Sequence, residues 1–144
     1  MKLKRPRIIR RTSELRRLVD QLRSEPLLAV DTESNSLYAY YEQVCLVQLS
    51  TRKHDYIVDP LAVDDMSPLG IVLADPAVEI IFHAAEYDII TLKRDFGYTF
   101  TNIFDTMLAA RICGWKRFGL GNISRKFDLR RYPPQTCYAN KRCA

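Results

Sequence analysis

Pro26-Leu27-Leu28-Ala29-Val30-Asp31-Thr32-Glu33-Ser34 is the stretch that decides how this chain folds. A short apolar run behind a proline predicts a buried strand from Leu27 to about Ser34. Side chains alternate along a strand, so Asp31 and Glu33 share one face, ~6–7 Å apart. Two carboxylates at the mouth of a buried strand, with no Lys or Arg close in sequence, repel each other. A divalent cation relieves that repulsion, and hard oxygen donors suit Mg²⁺ or Mn²⁺. The competing reading is that both acids are simply solvated at a strand end.

Composition bounds the alternatives. A chain of 144 residues fits one domain with a substantial core. Its 47% hydrophobic and 27% charged residues suit a soluble globular protein rather than a disordered one. No run approaches the ~20 apolar residues of a membrane span. The basic opening Met1-Lys2-Leu3-Lys4-Arg5-Pro6-Arg7 leads into no apolar signal core. The cytoplasm is therefore the expected compartment, with no membrane partner. Cys45, Cys113, Cys137 and Cys143 form no C-x-x-C pair, which argues against zinc and against a disulfide framework.

Charge is segregated along the chain. Residues 1–26 carry nine Lys/Arg against three Asp/Glu, residues 27–110 carry four against thirteen, and residues 111–144 carry nine against one. An acidic middle lies between two basic ends. Basic flanks suit a polyanion backbone, and an acidic centre suits metal ions that meet it. Taken alone, basic termini also fit solvated tails.

Residues 1–11 read as a loosely attached basic arm. Thr12 or Ser13 is the expected cap of a helix reaching about Arg23, with Leu15, Leu18, Val19 and Leu22 at helical spacing. Strands are predicted at Leu27 to about Ser34, at 44–50 and at 55–59, the last ended by Pro60. Their spacing predicts antiparallel neighbours. A helix from Ser67-Pro68, a fourth strand over 78–82, and a helix from about Ala84 to Phe96 closed by Gly97 follow. A short strand at Asn102-Ile103-Phe104, a helix capped by Asp105 and closed by Gly114, and a last helix from Gly119 to about Phe127 complete the pattern. Three strands followed by strand–helix alternation predict an α/β mixed sheet flanked by helices.

A third acid completes the constellation. In the helix from Ala84, residues Ala85, Asp88, Ile89, Leu92 and Phe96 fall near one face. Asp88 then sits at the edge of the buried face, one turn in. If the preceding strand lies beside the first, Asp88 reaches Asp31 and Glu33. Asp88 on its own is equally an acid favoured by the helix dipole.

These residues resemble the ribonuclease D branch of the DEDD 3′–5′ exonucleases over roughly two-thirds of the chain. Asp31-Thr32-Glu33 matches that family's D-x-E motif, and Phe82-His83-Ala84-Ala85-Glu86-Tyr87-Asp88 matches its second motif. Phe104-Asp105-Thr106 with Leu108-Ala109-Ala110 matches a further segment, whose aspartate is usually a helix cap. The resemblance implies an RNase H-like fold and two divalent cations, Mg²⁺ or Mn²⁺, held by Asp31, Glu33 and Asp88 as catalytic residues, with Asp31 bridging. It implies in-line hydrolysis of nucleotides from the 3′ end of RNA, with single-stranded DNA as the other substrate class. Substrate contacts are implied at Thr32 and Leu37. His83 and Tyr87 are further candidates for contacting substrate. A lone histidine at a strand end, as His83 is, more often serves packing than substrate contact. Tyr38, Tyr40 and Tyr41 suit either base stacking or packing on their own domain. No protein partner is readable.

The third family motif, Y-x-x-x-D, has no match. Four residues after Tyr138 stands Arg142, and the only acid after Asp105 is Asp128, with Ser124 four before it. The expected organisation is thus a basic arm over 1–11, an incomplete exonuclease-like domain over 12–127, and a divergent basic tail over 128–144. The chain reads as a shortened or frame-shifted exonuclease, as an inactive nucleic-acid-binding module of the same family, or as an enzyme using Asp128 for the missing acid. A P-loop and an H-E-x-x-H protease motif are both absent.

Overall fold

A computed structural model describes residues 5–36 and 40–127. Leu37, Tyr38, Asp128, Tyr138, Arg142 and the expected tail over 128–144 lie outside the described residues.

The chain enters as β1 (Arg7–Ile9) and continues into α1 (Thr12–Leu22), whose Leu15, Leu18, Val19 and Leu22 are all buried. Then come β2 (Leu27–Ser34), β3 (Val44–Ser50) and β4 (Asp55–Val58), followed by α2 (Ser67–Leu73) and β5 (Glu79–Phe82). The last elements are α3 (Glu86–Phe96), β6 (Ile103–Asp105), α4 (Thr106–Ile112) and α5 (Leu120–Lys126). The six strands form one sheet in the order β1-β4-β3-β2-β5-β6. Only β3 runs antiparallel to its neighbours, so the α/β mixed sheet expected from the strand spacing is present. Leu28, Val47, Leu49, Val58 and Ile80 of the sheet join Leu69, Val72 and Leu73 of α2 and Leu92 of α3 in one continuous core.

Three local expectations are corrected. Residues 7–9 are not a loose arm: Ile9 is buried, and β1 runs parallel to β4 with Ile9 opposite Val58. The Ile9 carbonyl accepts from the Asp59 amide at 3.0 Å, and Arg10 pairs with the Asp59 carboxylate at 3.5 Å. A three-residue edge strand is too short to show a period of two, so pattern alone misses it. Neither Thr12 nor Ser13 caps α1, because Arg11 is the capping residue and the Thr12 hydroxyl accepts from the Asp65 amide. Nor does the Ser67 side chain cap α2, which starts from Met66 with proline in its first turn.

The helix α3 is fastened at its C-terminal end. Gly97 closes it in the left-handed conformation, φ 69°, where a side chain is disfavoured. Just inside that end, Asp95 accepts from the Val44 amide at 2.7 Å, and Arg94 pairs with Glu42 at 2.9 Å. The helix is thereby tied to the start of β3, and its other end is free to present Asp88 to β2.

Candidate active site

The strand β2 outruns its parallel neighbour. Its last partner on β5 is Ala29 opposite Ile81, whereas its ladder with β3 continues to Ser34. Beyond Ala29, one edge of β2 therefore faces the 83–85 turn and the start of α3 rather than another strand. Backbone groups on such an edge need acceptors from elsewhere. Asp88 supplies one. Its Oδ1 accepts from the Thr32 amide at 3.0 Å and from the Thr32 hydroxyl at 2.5 Å. The third residue of α3 is thus locked to the strand residue standing between Asp31 and Glu33.

The three acids act on one another electrostatically. Burial pushes the Asp31 carboxyl up to about 6, with repulsion from Asp88 and then Glu33 adding to it. Asp31 nevertheless keeps solvent-facing surface. Burial and then Asp88 raise Glu33, and burial raises Asp88 against the lowering bonds from Thr32. Among the described residues no Lys, Arg or His forms an ion pair with any of the three. The polar neighbour given to Asp31 is uncharged: Gln48 Nε2 donates to Oδ2 at 3.4 Å.

Among the described residues no three acidic, histidine or cysteine side chains already close into a metal cluster. Asp88 Oδ1 is turned to Thr32 instead. The donor set still fits Mg²⁺ or Mn²⁺, because hard divalent ions hold several waters and take only one or two carboxylates each. A cation there would relieve the repulsion that helps raise Asp31 and Glu33, and offset the burial that raises all three.

The remaining expected residues surround this centre in supporting positions. Tyr87 lies half-exposed, its phenol 2.9 Å from Ser34 Oγ at the end of β2. The Nδ1 of His83 is 2.8 Å from Thr106 Oγ1, whose own proton goes to the Phe82 carbonyl at 3.0 Å. His83 Nδ1 is then the donor, and the ring anchors the start of α4 rather than an acid of the centre. Both polar hydrogens of Thr32 go to Asp88. Tyr40 and Tyr41 do not pack on the domain: they are 94% and 83% exposed, edge-to-face at 5.1 Å.

Asp105 does more than the sequence suggested. As the cap of α4 it accepts from Met107 and Leu108, and it also accepts from the Ala84 and Ala85 amides at 3.1 and 2.9 Å. Burial would raise its carboxyl, but the four amides outweigh that and hold it below its ordinary value. The second pair of bonds steadies Ala84, a non-glycine residue at φ 61°. That left-handed turn lets the chain leave β5 and start α3 with Asp88 aimed at β2. A lone aspartate before a helix signals a cap; nothing in the sequence signals the second set of donors.

Residues 6–130 match a family model described as 3′–5′ exonuclease. The chain is 39% identical over 111 residues to "Ribonuclease D" of Gluconacetobacter diazotrophicus, covering 76% of this chain and 28% of that protein. It superposes on the catalytic core of RRP6 from Trypanosoma brucei with TM-score 0.87 at 30% identity, covering 96% of this chain and 39% of the other. Escherichia coli RNase D, described as an exoribonuclease involved in structured RNA processing, gives TM-score 0.80 at 29% identity, with 88% and 34% covered. The chain thus spans well under half the length of these relatives.

Proposed function

This chain belongs to the 3′–5′ exonuclease family, and from that membership we propose that it is a divalent-metal-dependent phosphodiesterase removing nucleotides from the 3′ end of RNA. The observation that carries the reading is the bond pair from Thr32 to Asp88, which brings the acid of α3 to the strand end bearing Asp31 and Glu33. Asp31, Glu33 and Asp88 would hold divalent ions there. Bound ions supply an acidified water and charge neutralisation at the leaving 3′ oxygen.

The chain's own residues have separable tasks. Thr32 holds Asp88, and Asp105 holds the turn from which α3 starts. Tyr87, anchored on Ser34, stands exposed at the rim where a terminal nucleotide would lie. RNA is the favoured substrate because the relatives similar to this chain carry ribonuclease and exoribonuclease names.

A second reading has its own support. Arg142 stands where an aspartate would complete Y-x-x-x-D after Tyr138, which favours a module that binds RNA without cutting it. A 5′-labelled RNA ladder with Mg²⁺ or Mn²⁺ separates the two. Stepwise shortening from the 3′ end, abolished by Asp31→Ala, is the expected result for the enzyme. Binding with no shortening in either metal establishes the module.

A further inference from the structure

The hairpin of α4 and α5 carries a feature that the acidic centre does not use. Residues 106–127 contain Arg111, Lys116, Arg117, Arg125 and Lys126 and no Asp or Glu. Gly114, Trp115, Lys116, Arg117, Asn122, Arg125 and Lys126 line an open concavity of about 570 Å³. Elsewhere arginines meet carboxylates, as Arg10, Arg11, Arg16 and Arg94 do, but none of these five forms an ion pair among the described residues.

Three of the cations are nonetheless held in place by neutral groups, Arg111 by the Phe118 ring at 5.5 Å. The Lys126 ammonium sits over the Trp115 ring, 3.7 Å from its centroid, and the Phe127 ring lies against the same tryptophan. Arg125 Nε donates to the Gly121 carbonyl at 2.9 Å, and one of its terminal nitrogens donates to Asn122 at 3.4 Å. Ordering long cationic side chains costs entropy, and here that cost is met before any anion arrives. Unneutralised positive charge around a concave surface focuses its field outward into the hollow.

Position identifies the anion. Thr106, the first residue of α4, touches His83 beside the turn that launches α3. The concavity opens at the other end of α4, a helix of 7 residues and so ~10 Å long. We infer that the Trp115–Lys126 concavity is a second contact for the same nucleic-acid strand, gripping backbone phosphates upstream of the 3′ end held at Asp31, Glu33 and Asp88. The inference rests on the proposed function for the identity of its ligand. Guanidinium and ammonium groups at fixed spacing suit successive phosphates, and such contacts are sequence-independent.

The test is a salt titration of RNA binding by the full chain, read by anisotropy of a 5′-labelled single-stranded oligoribonucleotide with chelator present to prevent cleavage. Arg125→Ala with Lys126→Ala should weaken binding several-fold and lower the slope of log K against log salt by ~1.4, since each single-strand phosphate contact contributes ~0.7. Lys116→Ala with Arg117→Ala should act in the same direction. Neither pair threatens the fold, because Lys116 and Arg117 are exposed and α5, which carries Arg125 and Lys126, contributes no buried residue to the core. Trp115→Leu should weaken binding while leaving the slope near the parent's. The control Arg52→Ala with Lys53→Ala, in an exposed turn, should change neither. Parent-like slopes in both hairpin double variants overturn the inference while leaving the exonuclease reading intact. Displacement of the RNA by polyglutamate as effectively as by unlabelled RNA overturns it too. No binding by the parent chain overturns both readings together.

Discussion

Asp31 concentrates the consequences of the site in one side chain. Its carboxyl is pushed up to about 6, so the folded state holds a proton there that the unfolded state has released. Stability from this group is full at low pH and is lost as pH rises from the ordinary carboxylate range through about 6. Metal-free protein should therefore melt at a lower temperature at pH 7.5 than at pH 5.5 on account of this group. Asp31→Asn should flatten that difference and raise the neutral-pH stability by on the order of 1 kcal/mol, allowing for solvent screening. An unchanged melting profile in the variant would remove Asp31 as the source. Thr32→Val tests the neighbouring bond. It deletes the hydroxyl donor to Asp88 and keeps the amide. The expected cost is ~1–2 kcal/mol of stability, with a fall in turnover and little change in RNA affinity. Loss of affinity with unchanged turnover would place Thr32 on the substrate instead of on Asp88.

At the scale of elements, the site depends on how one turn is held. The connection from β5 to α3 passes through Ala84 at φ 61°, a conformation costing an L-residue ~1–2 kcal/mol. Asp105, at the junction of β6 and α4, binds that turn and caps its own helix with the same carboxylate. Asp105→Ala strips four amides of their acceptor and should destabilise the chain by ~2–3 kcal/mol in urea unfolding. Because the turn aims Asp88, the same variant should also weaken any divalent-metal effect on melting. A destabilised variant that keeps the full metal effect would show that Asp105 serves α4 alone. At the far end of α3, Gly97→Ala should cost ~1 kcal/mol through its left-handed φ, without altering metal response.

Across the whole molecule, an acidic centre sits on the central strand of a six-stranded sheet while the basic residues gather toward the two ends of the chain. On the proposed function, metal and nucleic acid would therefore have separate electrostatic addresses. Mn²⁺ should raise the melting temperature more at pH 7.5 than below about pH 5, where Asp31 carries a proton that the ion must displace. A saturating ion at a hundred times its dissociation constant contributes ~2.7 kcal/mol. A melting shift that is equal at both pH values, or that survives Asp31→Asn, would mean the ion binds somewhere else.

The helices, the three acids and every strand but β1 were legible because each depends on local pattern. Alternation and an apolar run mark β2, helical spacing marks the buried face of α3, and a D-x-E followed by a later aspartate marks the three acids. The sequence by itself thus determined the mixed α/β character, the strands from β2 onward and the three acids, while the edge strand β1 and the pairing of β2 with β5 came from packing. Only the tertiary structure decided what those acids touch. Thr32 binding Asp88, Asp105 serving two helices, Gln48 facing Asp31, and Trp115 holding Lys126 all join residues whose partnership follows from where β2 outruns β5 and where α5 folds back on α4. A period of two or of 3.6 residues reports which face a side chain occupies. The partner it meets is set by register, by unequal strand lengths and by turn geometry, and these arise only when the elements pack.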